Sequence, residues 1–410
     1  MQEEGLIYDW NFQGRRVSRP VTFCDETLRD GLQSPSVRTP ALEEKLRILH
    51  LMEELGIESA NIGLPGAGSQ IAAETARLAV EIASEKLRIL PYCAARTFVA
   101  DIRPIVEISQ RAGMPIVVAT FIGTSPIRQY VEGWDLDVIL KHSEGAIRFA
   151  VESGLPVAFV TEDTTRSRPE TVRKLYSEAI SWGATSLVLC DTVGHATPEG
   201  VRRLVEFVRD EIVAPSRAQV RIEWHGHSDR GLGVINAIAA YEAGADQLHG
   251  CALGIGERVG NAPMDLLLVN MRLMGYIDKD LSALKDYCQA VSAATRVPIH
   301  MNYPVVGADA FRTGTGVHAA AVIKALKKGD VELANLVYSG VPSHWFGLEQ
   351  QIEVGPMCGR SNIIYWLEKH GRKADEDVIA RIFEKAKASD HILTDREIEE
   401  AAAESGIEQR

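Results

Sequence analysis

Two histidines separated by one residue, His225 and His227, form the most informative pair in this chain of 410 residues. They end an apolar run that predicts a β-strand, and residues i and i+2 of a strand face the same side. An acidic residue, Asp30, follows another predicted strand near the start of the chain. Two imidazoles and a carboxylate suit a divalent cation such as Mg²⁺, Mn²⁺ or Zn²⁺ and leave positions open for water or substrate. A His-x-His pair alone could equally be structural, so the elements that position these residues decide its meaning.

Eight short apolar runs alternate with helical patterns from residue 20 to about residue 275. The runs are 21–26, 59–64, 88–94, 115–122, 156–162, 186–192, 219–227 and 245–254. This alternation predicts an α/β fold with a parallel sheet covered by helices on both faces. Eight units in about 250 residues favour a closed (β/α)8 TIM barrel over an open doubly wound sheet. Because strands 7, 8 and 1 of such a barrel are neighbours, we expect Asp30, His225 and His227 to converge at its C-terminal end.

The barrel domain is expected to occupy residues 1–295. A smaller, mostly helical C-terminal subdomain is expected over residues 296–410. Helical periodicity predicts helices at 377–388 and 396–403, and Thr394 with Glu397 has the spacing of a capping box at the start of the second.

Composition excludes several classes of function. Hydrophobic residues make up 46% and charged residues 24%, and no stretch approaches the length of a membrane span, so we expect a soluble protein. The N-terminus lacks the pattern of a signal peptide. A net charge of −12 without a basic run argues against binding to nucleic acid or to an anionic membrane. Six scattered cysteines without Cys-x-x-Cys spacing argue against disulfides and indicate a reducing cytoplasm.

Three separated motifs agree with one known family. The run from Asp25 to Gln33, the His225–His227 pair, and Gly256-Glu257-Arg258 followed by Asn261 resemble the DRE-TIM metallolyases. Within that family they resemble the Claisen-condensing branch of 2-isopropylmalate, homocitrate and citramalate synthases, over residues 20 to about 365. The resemblance implies a metal-dependent acyltransferase that condenses acetyl-CoA, or a close acyl-CoA, with a 2-oxo acid to give a 2-substituted malate and CoA.

The resemblance also implies roles for individual residues. The implied metal ligands are Asp30, His225 and His227, with Asn261 as a further ligand or near neighbour of the metal. The implied substrate-binding residues are Gln33, Arg128 and Thr192. The implied catalytic residues are Arg29, Glu162, His318 and Tyr338.

Elementary chemistry is consistent with these roles. Arg29 is an always-charged donor that can stabilise oxygen charge developing beside a metal. Glu162 is a candidate proton carrier, and histidine suits the removal of a proton from an acyl-CoA because its pKa lies near neutrality. In the family, the counterparts of His318 and Tyr338 reach into the active site of the partner subunit, which implies a homodimer.

The 2-oxo acid is left open by the sequence. Arg128 resembles homocitrate synthases, which bind a dicarboxylate, but Ala158 stands where those enzymes carry an arginine for the distal carboxylate. Asn61 replaces a glutamate common on strand 2. Two other activities also stay open: carbon–carbon cleavage of the hydroxymethylglutaryl-CoA lyase type, and a non-catalytic acyl-CoA or metabolite sensor.

Overall fold

The computed structural model describes residues 6–8, 10–11 and 18–403. Eight parallel strands close into a barrel in chain order, with the first strand hydrogen-bonded to the eighth. The strands are β1 Thr22–Asp25, β2 Ser59–Asn61, β3 Leu90–Arg96, β4 Val117–Gly123, β5 Val157–Glu162, β6 Ser186–Asp191, β7 Arg221–Gly226 and β8 Gln247–Gly250. The predicted (β/α)8 barrel is therefore confirmed.

Amphipathic helices cover the outside of the barrel. The first of them runs over Leu42–Glu54 and buries Ile48, Leu49 and Met52. Gly56 follows it with a φ of +67°, a left-handed conformation that glycine adopts without steric cost. The helices of this part of the chain are Leu42–Glu54, Ser69–Ser84, Val99–Ala112, Pro126–Glu132, Leu136–Glu152, Pro169–Ser181, Pro198–Val208, Gly233–Ala243, Met264–Leu273 and Leu284–Thr295.

The inner surface of the barrel has a polar side and an apolar side. Strands β7, β8 and β1 contribute buried polar residues such as Glu223, His249 and Glu26. Across the barrel, strands β3 to β6 contribute an apolar cluster that includes Ala119 and Val188. Successive residues of a strand face opposite sides, so a polar residue at every second position places one polar surface inside the barrel.

The chain divides into two compact units. The first comprises the residues up to Asp280 together with Asp286–Pro298, and the second comprises Leu281–Lys285 and the residues from Ile299 onward. The expected division into domains of residues 1–295 and 296–410 stays a prediction, because compactness alone does not establish independent folding.

The second unit is mostly helical. Its helices are Gly316–Lys327, Val331–Leu336, Arg360–Lys369, Glu376–Ala388 and Asp395–Ala403. The last three pack around a core that includes Ile363, Ile382 and Ile398. The predicted capping box is present: Thr394 N donates to Glu397 Oε2 at 2.8 Å, and Glu397 N donates to Thr394 Oγ1 at 3.3 Å. Within the described ranges, no helix combines the length and apolarity needed to cross a bilayer.

Candidate active site

Three side chains that could ligate a metal converge at the C-terminal end of the barrel. His225 belongs to β7 and His227 follows its end, while Asp30 begins a 3-10 turn after β1. Asp30 Oδ2 lies 3.4 Å from His225 Nε2 and 3.6 Å from His227 Nε2. The two Nε2 atoms lie 3.4 Å apart. The closure of the barrel and the i, i+2 spacing thus bring together residues that are about 200 positions apart in the chain.

The protonation of this cluster fits a cation. Burial, assisted by neighbouring His225, lowers the pKa of His227 to about 4, so its imidazole is neutral near pH 7. Burial opposes the charge of Asp30, but Arg29 and the two histidines outweigh it and hold the pKa of Asp30 well below its usual range. Neutral imidazole and ionised carboxylate are the forms that bind metals. The lone pairs of these close acceptors repel one another unless a proton or a cation lies among them, so the donor set fits a divalent metal.

Asn261 lies beside this cluster, next to a glycine. Residues His227 and Asn261 form an isolated backbone bridge. A Cβ atom added to Gly256 would lie 2.2 Å from Asn261 Nδ2 and 3.1 Å from Asp30 Oδ1. The structure therefore places Asn261 and Asp30 against the same glycine, and any side chain at position 256 would disturb both.

Replacing Gly256 with alanine is expected to weaken metal binding by about 10- to 100-fold, the usual effect of displacing groups that orient metal ligands. The φ of +148° adds strain to the steric overlap. The measurement is a metal titration of the purified variant. Gly371→Ala is the matched control, because Gly371 has a φ of +65° but nothing within 4 Å of an added Cβ. Equal metal affinity in both variants would contradict the assigned contact.

Arg29 is fixed by the residues around it. Its Nε donates to Glu26 Oε2 at 2.9 Å, and its Nη1 lies 3.4 Å from both Asp30 Oδ2 and Gln33 Oε1. These bonds orient a permanent positive charge next to the candidate metal ligands and need little rearrangement during a reaction.

Glu26, His249 and Glu223 form a buried charged network beside the candidate metal ligands. The sequence patterns did not predict this network. His249 Nδ1 lies 3.2 Å from Glu26 Oε1, and His249 Nε2 lies 3.0 Å from Glu223 Oε2. Burial opposes protonation, but bonds to Glu223 and Glu26 outweigh it and raise the pKa of His249 to about 9. Cys24, Glu26 and His249 also have ligand atoms within 4.8 Å of one another. An imidazolium that donates a hydrogen bond from each ring nitrogen has no lone pair for a cation. We therefore assign Cys24, Glu26 and His249 to an ion-paired network rather than to a metal site.

The stability of the protein is expected to fall between pH 6.5 and 9 because of His249. Its folded pKa of about 9 lies above the ordinary value of 6.5, so the contribution is complete below pH 6.5 and is lost as pH rises through 9. The shift corresponds to about 3 kcal/mol. Denaturant unfolding of metal-free protein across this range measures it. His249→Gln, which does not titrate, should give a flatter profile, and identical profiles would refute the assignment.

The cluster of candidate metal ligands opens into a cavity of about 280 Å³. Seven residues singled out by sequence line it: Arg29, Asp30, Gln33, Glu162, Thr192, His225 and His227. The newly found Glu26 and His249 line it too, as does Asn61. The amide nitrogen of Asn61 lies 3.3 Å from Glu26 Oε1. The barrel interior thus brings most of the implied site into one cavity.

Three of the implied residues, Glu162, Thr192 and Arg128, have different surroundings. Glu162 ends β5, and burial raises its pKa against the opposing effect of Arg128. Thr192 Oγ1 accepts a hydrogen bond from Asp163 N at 2.8 Å, and the hydroxyl can still donate its own hydrogen. Arg128 is not among the lining residues; it lies 3.1 Å from Glu132 and 3.8 Å from Glu162. Its role as a direct substrate contact stays a prediction.

His318 and Tyr338 belong to the second unit and contact each other. Their rings stack with centroids 4.1 Å apart and an interplanar angle of 26°. His318 is the third residue of the helix Gly316–Lys327, and both side chains are exposed. No sequence pattern predicts this stacking, because the two residues are 20 positions apart on different elements.

Comparison with known proteins gives one consistent result. A family model described as HMGL-like matches residues 20–293. The chain is 31% identical to homocitrate synthase AksA of Methanopyrus kandleri over 373 residues, covering 90% of this chain and 87% of the relative. It is 30% identical to a 2-isopropylmalate synthase of Nitratidesulfovibrio vulgaris over 373 residues, covering 90% and 70%. The solved hydroxymethylglutaryl-CoA lyase of Pseudomonas aeruginosa matches with a TM-score of 0.57 at 19% identity, covering 67% of this chain and 93% of the lyase, which supports the fold alone.

Proposed function

The chain belongs to the HMGL-like family, and from this premise we propose that it condenses an acyl-CoA with a 2-oxo acid to give a 2-substituted malate and free CoA. Relatives at about 30% identity over 90% of the chain are named as condensing synthases, in agreement with the resemblance to the Claisen-condensing DRE-TIM metallolyases. The observation that carries the proposal is the convergence of Asp30, His225 and His227 beside Arg29 at one cavity.

Asp30, His225 and His227 would hold a divalent cation (Mg²⁺, Mn²⁺ or Zn²⁺), with Asn261 as a further ligand or near neighbour. When bound, this cation would supply Lewis acidity towards the keto group of the 2-oxo acid. Thr192 and Gln33 bind the substrate, Thr192 through its hydroxyl group. Arg29, held by Glu26, stabilises the negative charge that develops on the keto oxygen as the new carbon–carbon bond forms.

We propose acetyl-CoA or a close homologue as the acyl donor. His318, supported by Tyr338, removes a proton from the carbon next to the thioester, and the resulting enolate attacks the keto carbon. The former keto oxygen then takes up a proton and becomes the hydroxyl group of the product. Glu162, which lines the same cavity, is a second proton carrier, and burial raises the pKa of its carboxyl group. Water then adds to the thioester carbonyl, the carbon–sulfur bond breaks, and the thiol of CoA leaves with a proton.

We also propose a cytoplasmic homodimer in which His318 and Tyr338 of one chain complete the site of the other. The net charge of −12 gives no support for nucleic acid or an anionic membrane as a partner. Analytical ultracentrifugation tests the dimer. Restoration of activity on mixing an inactive Arg29 variant with an inactive His318 variant tests the shared site, and failure to restore any activity would contradict it.

The function is tested by measuring free thiol released from acetyl-CoA with a panel of 2-oxo acids: 2-oxoisovalerate, pyruvate, 2-oxoglutarate, oxaloacetate and phenylpyruvate. We expect CoA release that needs a 2-oxo acid and gives an equal amount of 2-substituted malate by mass spectrometry. Cleavage of hydroxymethylglutaryl-CoA without any condensation would favour the lyase instead. Binding of acetyl-CoA without turnover would favour a sensor.

A further inference from the structure

The cavity beside the metal cluster has a polar half and an apolar half. Its charged and imidazole-bearing lining residues from β7, β8 and β1 surround the candidate metal ligands. Five of its eight lining residues from β3 to β6 are hydrocarbon, namely Ala94, Ala119, Phe121, Val160 and Val188; the other three are Tyr92, Glu162 and Cys190. A 2-oxo acid whose keto and carboxylate groups occupy the polar half must therefore direct its third substituent along the apolar half.

Two alanines make room in the apolar half. Ala94 of β3 and Ala119 of β4 are register partners, so their side chains lie next to each other on the inner surface. Val160 of β5 pairs in the same way with Phe121 of β4 and with Val188 of β6. Two neighbouring methyl side chains thus stand beside a row of larger ones, and they leave a recess that a bulky hydrocarbon group could fill.

The charges around the apolar half disfavour a second carboxylate. Both arginines that line the described cavity already pair with carboxylates: Arg29 bonds Glu26, and Arg258 bonds Asp229 at 2.9 Å. Glu162 adds a carboxylate at the end of β5. A buried anion without a cationic partner is costly, and a neighbouring carboxylate makes it more so.

Arg128 does not supply a free cation for a second carboxylate of the substrate. Its Nη2 lies 3.1 Å from Glu132 and 3.8 Å from Glu162, so both neighbours of the guanidinium are already carboxylates. Its Nε is buried without a hydrogen-bond partner against Gly123, where an added Cβ would lie only 2.8 Å away. Arg128 is not among the residues that line the cavity.

From these observations we propose that the 2-oxo acid is a monocarboxylate with an uncharged, apolar side chain of branched-aliphatic or aromatic size, and that Ala94 and Ala119 determine how large that side chain can be. This inference rests on the proposed condensation and specifies its substrate class. The relatives include both types, because a homocitrate synthase matches at 31% identity and a 2-isopropylmalate synthase at 30%, so identity alone does not assign the substrate class.

The first test compares kcat/KM for five 2-oxo acids in the acetyl-CoA assay of the metal-loaded protein. We expect 2-oxoisovalerate, 4-methyl-2-oxopentanoate or phenylpyruvate to exceed 2-oxoglutarate and oxaloacetate by about 100-fold, since a buried charge without a partner is rejected strongly. Higher efficiency with 2-oxoglutarate would overturn the substrate class and leave the condensation intact. Absence of CoA release with every 2-oxo acid would overturn the proposed function as well.

The second test changes the size of the recess. Ala119→Phe should lower kcat/KM for the preferred bulky acid by about 100-fold, while the value for pyruvate changes by less than about threefold, because only a large side chain needs the recess. Pyruvate serves as the control within the same variant. Ala94→Val is a milder change that should also lower kcat/KM for the bulky acid more than for pyruvate. It replaces Ala119→Phe as the test if that variant does not fold. An equal loss with pyruvate and with the bulky acid in a folded variant would overturn the role of the alanines.

Discussion

Asp30→Asn is expected to lose its bound metal and to lower kcat/KM by more than about a hundredfold. Changing a group that only orients a metal ligand typically costs 10- to 100-fold, so removing the anionic ligand itself should cost more. Asparagine keeps the shape of aspartate but not its charge, and the two imidazoles would then be the remaining strong donors. Metal analysis and CoA release on the same preparation measure both effects.

Asp137→Asn provides the matched control for this change. Asp137 is exposed in the first turn of the outer helix Leu136–Glu152. The control should keep the metal content and the turnover of the unmodified protein. If Asp30→Asn also kept both, the carboxylate of Asp30 would not be a metal ligand.

Arg29→Gln is expected to lower kcat by about 100- to 1,000-fold while the metal stays bound, as loss of a fixed donor to developing oxygen charge commonly does. Most of the effect should fall on kcat, because the charge that Arg29 stabilises develops in the transition state. The change also leaves Glu26 with one partner fewer inside the barrel. Loss of a buried ion-pair partner costs about 3–5 kcal/mol, so the variant should also unfold more easily.

Arg29→Lys separates charge from geometry. Lysine is cationic but cannot reproduce the fork of bonds to Glu26, Asp30 and Gln33, so it should recover stability better than turnover. Steady-state kinetics and denaturant unfolding of both variants check this. Turnover close to that of the unmodified protein in Arg29→Gln would remove Arg29 from the catalytic residues.

The barrel and the convergence of the candidate metal ligands could be predicted because they depend on periodicity. Eight apolar runs with helical patterns between them leave few topologies, and barrel closure then places the end of β7 near the end of β1. The alternation of a strand puts His225 and His227 on one side. The convergence of Asp30 with these histidines follows from those two rules.

The network of Glu26, His249 and Glu223 could not be predicted in the same way. Each residue taken alone is a polar side chain in a strand, and only the closed barrel shows that all three face inward and contact one another. The spacing of Gln247 and His249 was the available signal, since two polar residues at i and i+2 of β8 mark a polar inner surface. The partners of Arg128 could not be predicted either, because they depend on how its helix packs after β4.

We expect condensation of an acyl-CoA with a 2-oxo acid to depend on a divalent cation at Asp30, His225 and His227. CoA release from acetyl-CoA by chelator-treated protein, with and without an added divalent cation and a 2-oxo acid, measures this dependence. Release should occur only when both are present, with one CoA for each 2-substituted malate, and His225→Ala should release none. Equal release without the cation or without the 2-oxo acid, or undiminished release from His225→Ala, would contradict it.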